Sequence, residues 1–160
     1  LDIGCGGGAN IAYMLKQCTK GIVKGIDYSE VSVEKSRKVN ADAIKEGKCE
    51  VICGSVMELP FSEEQFDAVT AFETVYFWPG LKEAFAQVYK VLKVGGTFLI
   101  CNESCGKNQA DEKWTKMIEG MVIYTAEQIK EYLEKAGFTD IKLHENGKGW
   151  LCVTAMKAEG

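Results

Sequence analysis

Apolar and polar positions along the chain switch between two periods, one suited to strands and the other to helices. Leu1-Asp2-Ile3 runs directly into Gly4-Cys5-Gly6-Gly7-Gly8, after which Ile11, Ala12, Leu15 and Cys18 recur at helical spacing. Gly21 stops that helix, and Ile22–Ile26 reads as a buried strand. Ser29 is placed to cap a helix that runs through Glu46 and ends at Gly47. Cys49–Cys53 and Phe66–Phe72 are the third and fourth strands. Leu81, Ala84, Phe85, Val88 and Leu92 mark one helix face, broken at Gly95-Gly96 before a fifth strand at Thr97–Cys101. Residues 102–124 are ambiguous, with helical spacing around Trp114–Ile118. Thr125 and Gln128 make a capping box for a helix through Ala136, closed at Gly137. Thr139–His144 and Trp150–Met156 are strands whose short connection suits an antiparallel hairpin.

This alternation predicts an α/β fold: a doubly wound, mostly parallel sheet with helices on both faces and a C-terminal antiparallel hairpin. The 160 residues fit a single domain, and 46% hydrophobic with 26% charged residues is globular composition that argues against disorder. Leu1-Asp2-Ile3 is shorter than an ordinary strand of about five residues, so the first strand reads as incomplete. A net charge of −4 gives no uniform attraction for nucleic acid or anionic membrane, and no apolar run approaches the ~20 residues that cross a bilayer. Seven scattered cysteines and one histidine point to thiols in a reducing cytosol and to no metal site.

The first loop carries the chemistry. Glycines between a strand and a helix let backbone approach a ligand closely, and the helix N-terminus presents free N–H groups. Gly4, Gly6 and Gly8 stand in such a turn, and Asp27 closes the second strand. A carboxylate there accepts hydrogen bonds from both hydroxyls of a ribose. Gly4-x-Gly6-x-x-Ala9 also satisfies the loose dinucleotide fingerprint, so the glycines alone leave an NAD-dependent oxidoreductase open as one alternative, with a non-catalytic cofactor-binding module as another.

Taken together, the motifs resemble those of the class I S-adenosylmethionine-dependent methyltransferases, in the UbiE-like small-molecule branch. Leu1–Gly8 is similar to that family's first motif and Gly25-Ile26-Asp27-Tyr28-Ser29 to its second. Gly54–Phe61 with Phe66-Asp67, Leu92–Gly96 and Ala136-Gly137-Phe138 are similar to later segments in the same order. The resemblance implies a Rossmann-like domain over residues 1–160, N-terminally truncated, without the family's preceding helix and with a correspondingly open, weakly binding pocket. It implies S-adenosylmethionine as cofactor and a small-molecule methyl acceptor. Gly4, Cys5 and Gly6 would lie under the methionine part, Asp2 would orient the loop, and Asp27 and Tyr28 would meet the ribose. Ser55 and Val56 would face the adenine and Phe72 the methionine end. Ser55 stands where the family often has Asp, and Val94 where proline is common.

Methyl transfer is an in-line displacement in which the protein supplies orientation and desolvation. The acceptor is expected beside the segments that follow strands four and five. Glu73 and Glu103 are candidate bases or anchors there, with Tyr76 and Trp78 as aromatic walls. His144 falls on the late hairpin and is expected away from the cofactor end. Tyr89-x-x-x-Lys93 matches a reductase spacing but falls on a helix surface.

Overall fold

The structure, a computed structural model, describes residues 1–159. Strands β1 (Asp2–Ile3), β2 (Val23–Asp27), β3 (Cys49–Cys53), β4 (Phe66–Phe72), β5 (Leu92–Asn102), β6 (Thr139–Glu145) and β7 (Leu151–Met156) form one sheet, ordered β3-β2-β1-β4-β5-β7-β6. The pairings among β1 to β5 are parallel, while β7 is antiparallel to both β5 and β6. Because β7 enters between them, β6 runs in the same direction as β1 to β5. The helices are α1 (Ala9–Gln17), α2 (Glu30–Val39), α3 (Ala41–Lys45), α4 (Leu81–Val91), α5 (Gln109–Met117) and α6 (Ala126–Lys135). The expected doubly wound architecture and closing hairpin are both present.

Two apolar cores hold the layers together. On one face, Phe85 of α4 and Ile129 and Leu133 of α6 pack against Phe98, Ile100 and Val153 of the sheet. Phe85 and Phe98 meet edge to face at 5.6 Å, and each is wholly buried. Burial of such a side chain contributes about 1.5–3 kcal/mol. On the other face, Ile11 of α1 and Val33 of α2 close over Cys5, Val23 and Val51.

Three elements differ from the sequence reading. The helix expected over Ser29–Glu46 divides at Asn40 into α2 and α3. The buried Asn40 amide donates to the carbonyls of Ser36 (3.0 Å) and Gly8 (3.1 Å), tying the helix to the first loop at the cost of its continuity. The fifth strand starts at Leu92 rather than Thr97, with a register shift between Phe66 and Ala68 of its β4 partner. Gly95 does not break the chain away, because its N–H donates to the Lys157 carbonyl at 2.7 Å, and Lys157 Nζ reaches the Leu92 carbonyl at 2.9 Å. The ambiguous stretch forms α5, started by a reciprocal Asn108/Asp111 capping box.

His144 is the functional correction. Since β6 runs with β1 to β5, its end lies at their carboxyl edge, where open α/β sheets bind ligands. The sole histidine is therefore at the cofactor end, not away from it.

Candidate active site

The first loop folds as a ring of hydrogen bonds centred on Asp27. Gly4 and Cys5 donate their N–H groups to the Ile26 carbonyl at 2.8 and 3.1 Å. Asp27 Oδ2 accepts from Gly6 N at 2.9 Å, and Oδ1 accepts from Ser29 N at 2.9 Å. Asp27 is buried at the wall of a cleft of about 340 Å³, and each of its oxygens keeps a further lone pair for a ligand hydroxyl.

The glycines of this loop serve different ends. A Cβ on Gly8 would lie 2.4 Å from Ser36 Oγ and 2.8 Å from the Ser36 backbone, so its bareness lets α2 dock. A Cβ on Gly6 would meet nothing within 4 Å, which leaves open space for a ligand.

Gly4, Asp27, Tyr28, Ser55 and Val56 all line the cleft, which Thr74, Phe77 and Trp78 close from the opposite side. The Val56 N–H makes no hydrogen bond within the described residues. Ser55 Oγ accepts from Met57 N at 3.1 Å, which fixes the turn and occupies one lone pair. A buried acid, an unpaired N–H and an open space above bare backbone suit an adenosine carrying a polar tail, so these residues fit the expected cofactor.

Four residues assigned to the cofactor do not line this cleft: Phe72 lies at a second hollow, Gly6 borders open space, and Cys5 and Asp2 are buried. The Cys5 thiol turns into the core beneath α1, and burial pushes it up to about 12. Asp2 is buried behind the loop, where Oδ1 accepts from Thr70 Oγ1 at 2.8 Å and Oδ2 has no partner. Burial raises its carboxyl to about 6, against the Thr70 hydrogen bond, which lowers it.

The second hollow, of about 490 Å³, opens at the ends of β4 and β5. Glu73, Asn102 and Glu103, from the segments expected on the acceptor side, line it together with Asn10 at the start of α1 and with Phe72, the residue expected at the methionine end of the cofactor. His144, Trp150, Cys101 and Cys152 also line it, and sequence reasoning assigned none of them. Successive residues Glu73 and Thr74 face the two hollows, and a Cβ on Gly4 would lie 2.0 Å from Thr74 Oγ1.

Glu73 adopts φ 53°, a left-handed conformation uncommon for a non-glycine residue. Its N–H donates to the Cys101 carbonyl at 2.9 Å, and its carboxylate accepts from Glu103 N and from Tyr76 OH (3.2 Å). Desolvation raises the Glu73 carboxyl above the ordinary glutamate value, against these hydrogen bonds. Tyr76 is buried and lines neither hollow; its hydroxyl also accepts from Ser104 N at 3.0 Å. It therefore positions Glu73 and the following loop rather than touching a ligand. Trp78 stacks with Phe98 in the core while closing the first cleft. Lys93 pairs with Asp67 at 2.9 Å and Tyr89 packs on Phe138, so that pair forms no reductase site.

A family model described as "Methyltransferase domain" matches residues 1–100. The chain belongs to this methyltransferase family. The glycine loop and Asp27 lie within the matched residues, and the oxidoreductase alternative falls away. The chain is 33% identical over 99 residues to 24-methylenesterol C-methyltransferase 2 of Oryza sativa subsp. japonica, a match covering 62% of this chain and 27% of that protein. It is 26% identical over 153 residues to an O-methyltransferase of Pyrenophora dematioidea, covering 90% of this chain and 57% of that one. The chain thus spans between about a quarter and somewhat over half of these relatives. Among solved structures, Haemonchus contortus phosphoethanolamine N-methyltransferase 2 in complex with S-adenosyl-L-methionine superposes with a TM-score of 0.86 at 18% identity, covering 99% of this chain and 48% of that chain.

Proposed function

We propose that the chain is the cofactor-binding domain of an S-adenosylmethionine-dependent methyltransferase of the UbiE-like branch, acting on a small molecule. The observation that carries this reading is the Asp27 ring: a buried carboxylate tied to the glycine loop, on the wall of a cleft and beside a second hollow. When bound, S-adenosylmethionine supplies a methyl carbon activated by its sulfonium. Asp27 would accept the ribose hydroxyls, with Tyr28 beside it. The Val56 N–H and Ser55 hydroxyl would meet the adenine edge. Gly4 and Gly6 would lie under the methionine part, Phe72 would flank it, and Asp2 would stiffen the loop from behind.

The acceptor would enter the second hollow. Glu73, raised by desolvation yet held in place by Tyr76 and the Glu103 N–H, is suited to take a proton from an acceptor nucleophile. Glu103, exposed on the rim, would anchor the acceptor or serve as an alternative base. The free thiols and the acidic balance support a reducing, cytoplasmic setting without nucleic-acid partners. No helix among the described residues is long and apolar enough to cross a membrane.

The test is incubation with methyl-labelled S-adenosylmethionine and a metabolite extract, followed by mass identification of labelled products. Label in a small molecule, lost with Asp27→Ala, supports the reading; label transfer that Asp27→Ala leaves unchanged contradicts it.

A further inference from the structure

The second hollow holds a chemistry that methyl transfer does not use. Strand register places Phe72 beside Cys101, Cys101 beside Cys152, and Cys152 beside His144, one row across β4, β5, β7 and β6. All four residues line the hollow. Within the row Cys101 Sγ lies 3.5 Å from Cys152 Sγ, the one thiol–thiol contact of hydrogen-bonding length among the described residues.

Directly opposed residues of an antiparallel pair stand about 4.5 or 5.5 Å apart at Cα, depending on their place in the ladder. A disulfide spans Cα separations of roughly 4.4–6.8 Å, so either spacing accepts one without moving the strands. The sulfurs need close by only about 1.5 Å, which side-chain rotation supplies. Both thiols are half-buried, so each keeps a face toward the hollow.

We propose that Cys101 and Cys152 form a dithiol modification site for low-molecular-weight disulfides, which convert it into a cross-strand disulfide in the wall of the hollow. One of the two, in its thiolate form, attacks one sulfur of the small disulfide, forming a mixed disulfide and releasing the first small thiol. The other, held beside it in the row, then attacks that protein sulfur, its proton leaving with the second small thiol. One small disulfide and two protein thiols thus give one protein disulfide and two small thiols.

The site is tested chemically and does not depend on methyl transfer. The folded chain is incubated with excess oxidised glutathione, quenched in acid, alkylated in denaturant and mapped by mass spectrometry. The expected result is a linked peptide joining Cys101 to Cys152, with these two of the seven cysteines lost to alkylation together. Of Cys101→Ser and Cys152→Ser, at least one should instead hold a glutathione adduct on its remaining thiol, because the resolving thiol is gone. Wild-type chain in which Cys101 and Cys152 both remain alkylatable overturns the proposal. So does a linked peptide that joins other cysteines in their place, or a pair of variants, Cys101→Ser and Cys152→Ser, in which neither remaining thiol takes up glutathione.

Discussion

Asp27 Oδ2 accepts the Gly6 N–H at 2.9 Å, so the acid at the end of β2 and the backbone of the first loop form one unit. Ser29 N on the other oxygen completes the clamp and starts α2 in the same step. A carboxylate held from two sides loses little side-chain freedom when a ligand arrives, which is the physical meaning of preorganisation.

The loop glycines separate stability from binding. Gly8→Ala should lower the melting temperature strongly, since its Cβ would fall 2.8 Å from the Ser36 backbone in a left-handed conformation. Gly6→Ala, in open space, should cost only about 1–2 kcal/mol of stability from its positive φ. It should still weaken S-adenosylhomocysteine binding at least as much as Gly8→Ala does. Thermal unfolding and ligand titration of both variants check the contrast.

Asp2 predicts a pH signature. Its carboxyl is raised by burial from 3.8 to about 6, so between those values the folded chain binds more protons than the unfolded one. Stability from this group is therefore full below pH 3.8 and lost as pH rises through about 6, by at most about 3 kcal/mol. Asp2→Asn keeps an acceptor for Thr70 and has no charge to bury. Its stability relative to wild type should climb between pH 4 and 7 in denaturant melts; a flat difference would contradict the assignment.

How much of this was legible in the sequence follows the range of the interactions. The alternation of elements, the Thr125/Gln128 cap and Asp27 at its strand end rest on local spacing, and the structure has them. The division at Asn40 depends on a bond to Gly8, 32 residues away, which no local pattern records. His144 and Trp150 were missed because a hairpin read along the chain does not say which of its strands joins the sheet. Only the insertion of β7 beside β5 brings the end of β6 to the ligand edge. Cys5 differs in another way: the turn aims its side chain into the core, a direction that a position in a motif does not record.

Glu73 should govern turnover without governing cofactor affinity. Glu73→Gln should reduce kcat by about 10²–10⁴, as loss of a general base does, with S-adenosylhomocysteine affinity little changed. Because desolvation raises its carboxyl, wild-type turnover should rise with pH through a midpoint above 4.5. The Tyr76 hydroxyl lowers that midpoint by bonding the ionised form, so Tyr76→Phe should move it to higher pH. A midpoint that ignores Tyr76→Phe would remove the positioning role.

Glu103 offers the complementary test. As an acceptor anchor, Glu103→Gln should slow turnover far more than it alters cofactor affinity, and its backbone N–H should continue to hold Glu73. Unchanged kcat and KM would take the Glu103 side chain out of the site.

Calorimetric titration of S-adenosylhomocysteine into wild-type and Asp27→Asn chains bears most directly on the central assignment. Saturable one-to-one binding is expected, weakened about 10- to 150-fold by Asp27→Asn, the worth of hydrogen bonds to a charged group. No binding to the wild type, or equal affinity in both chains, would contradict it.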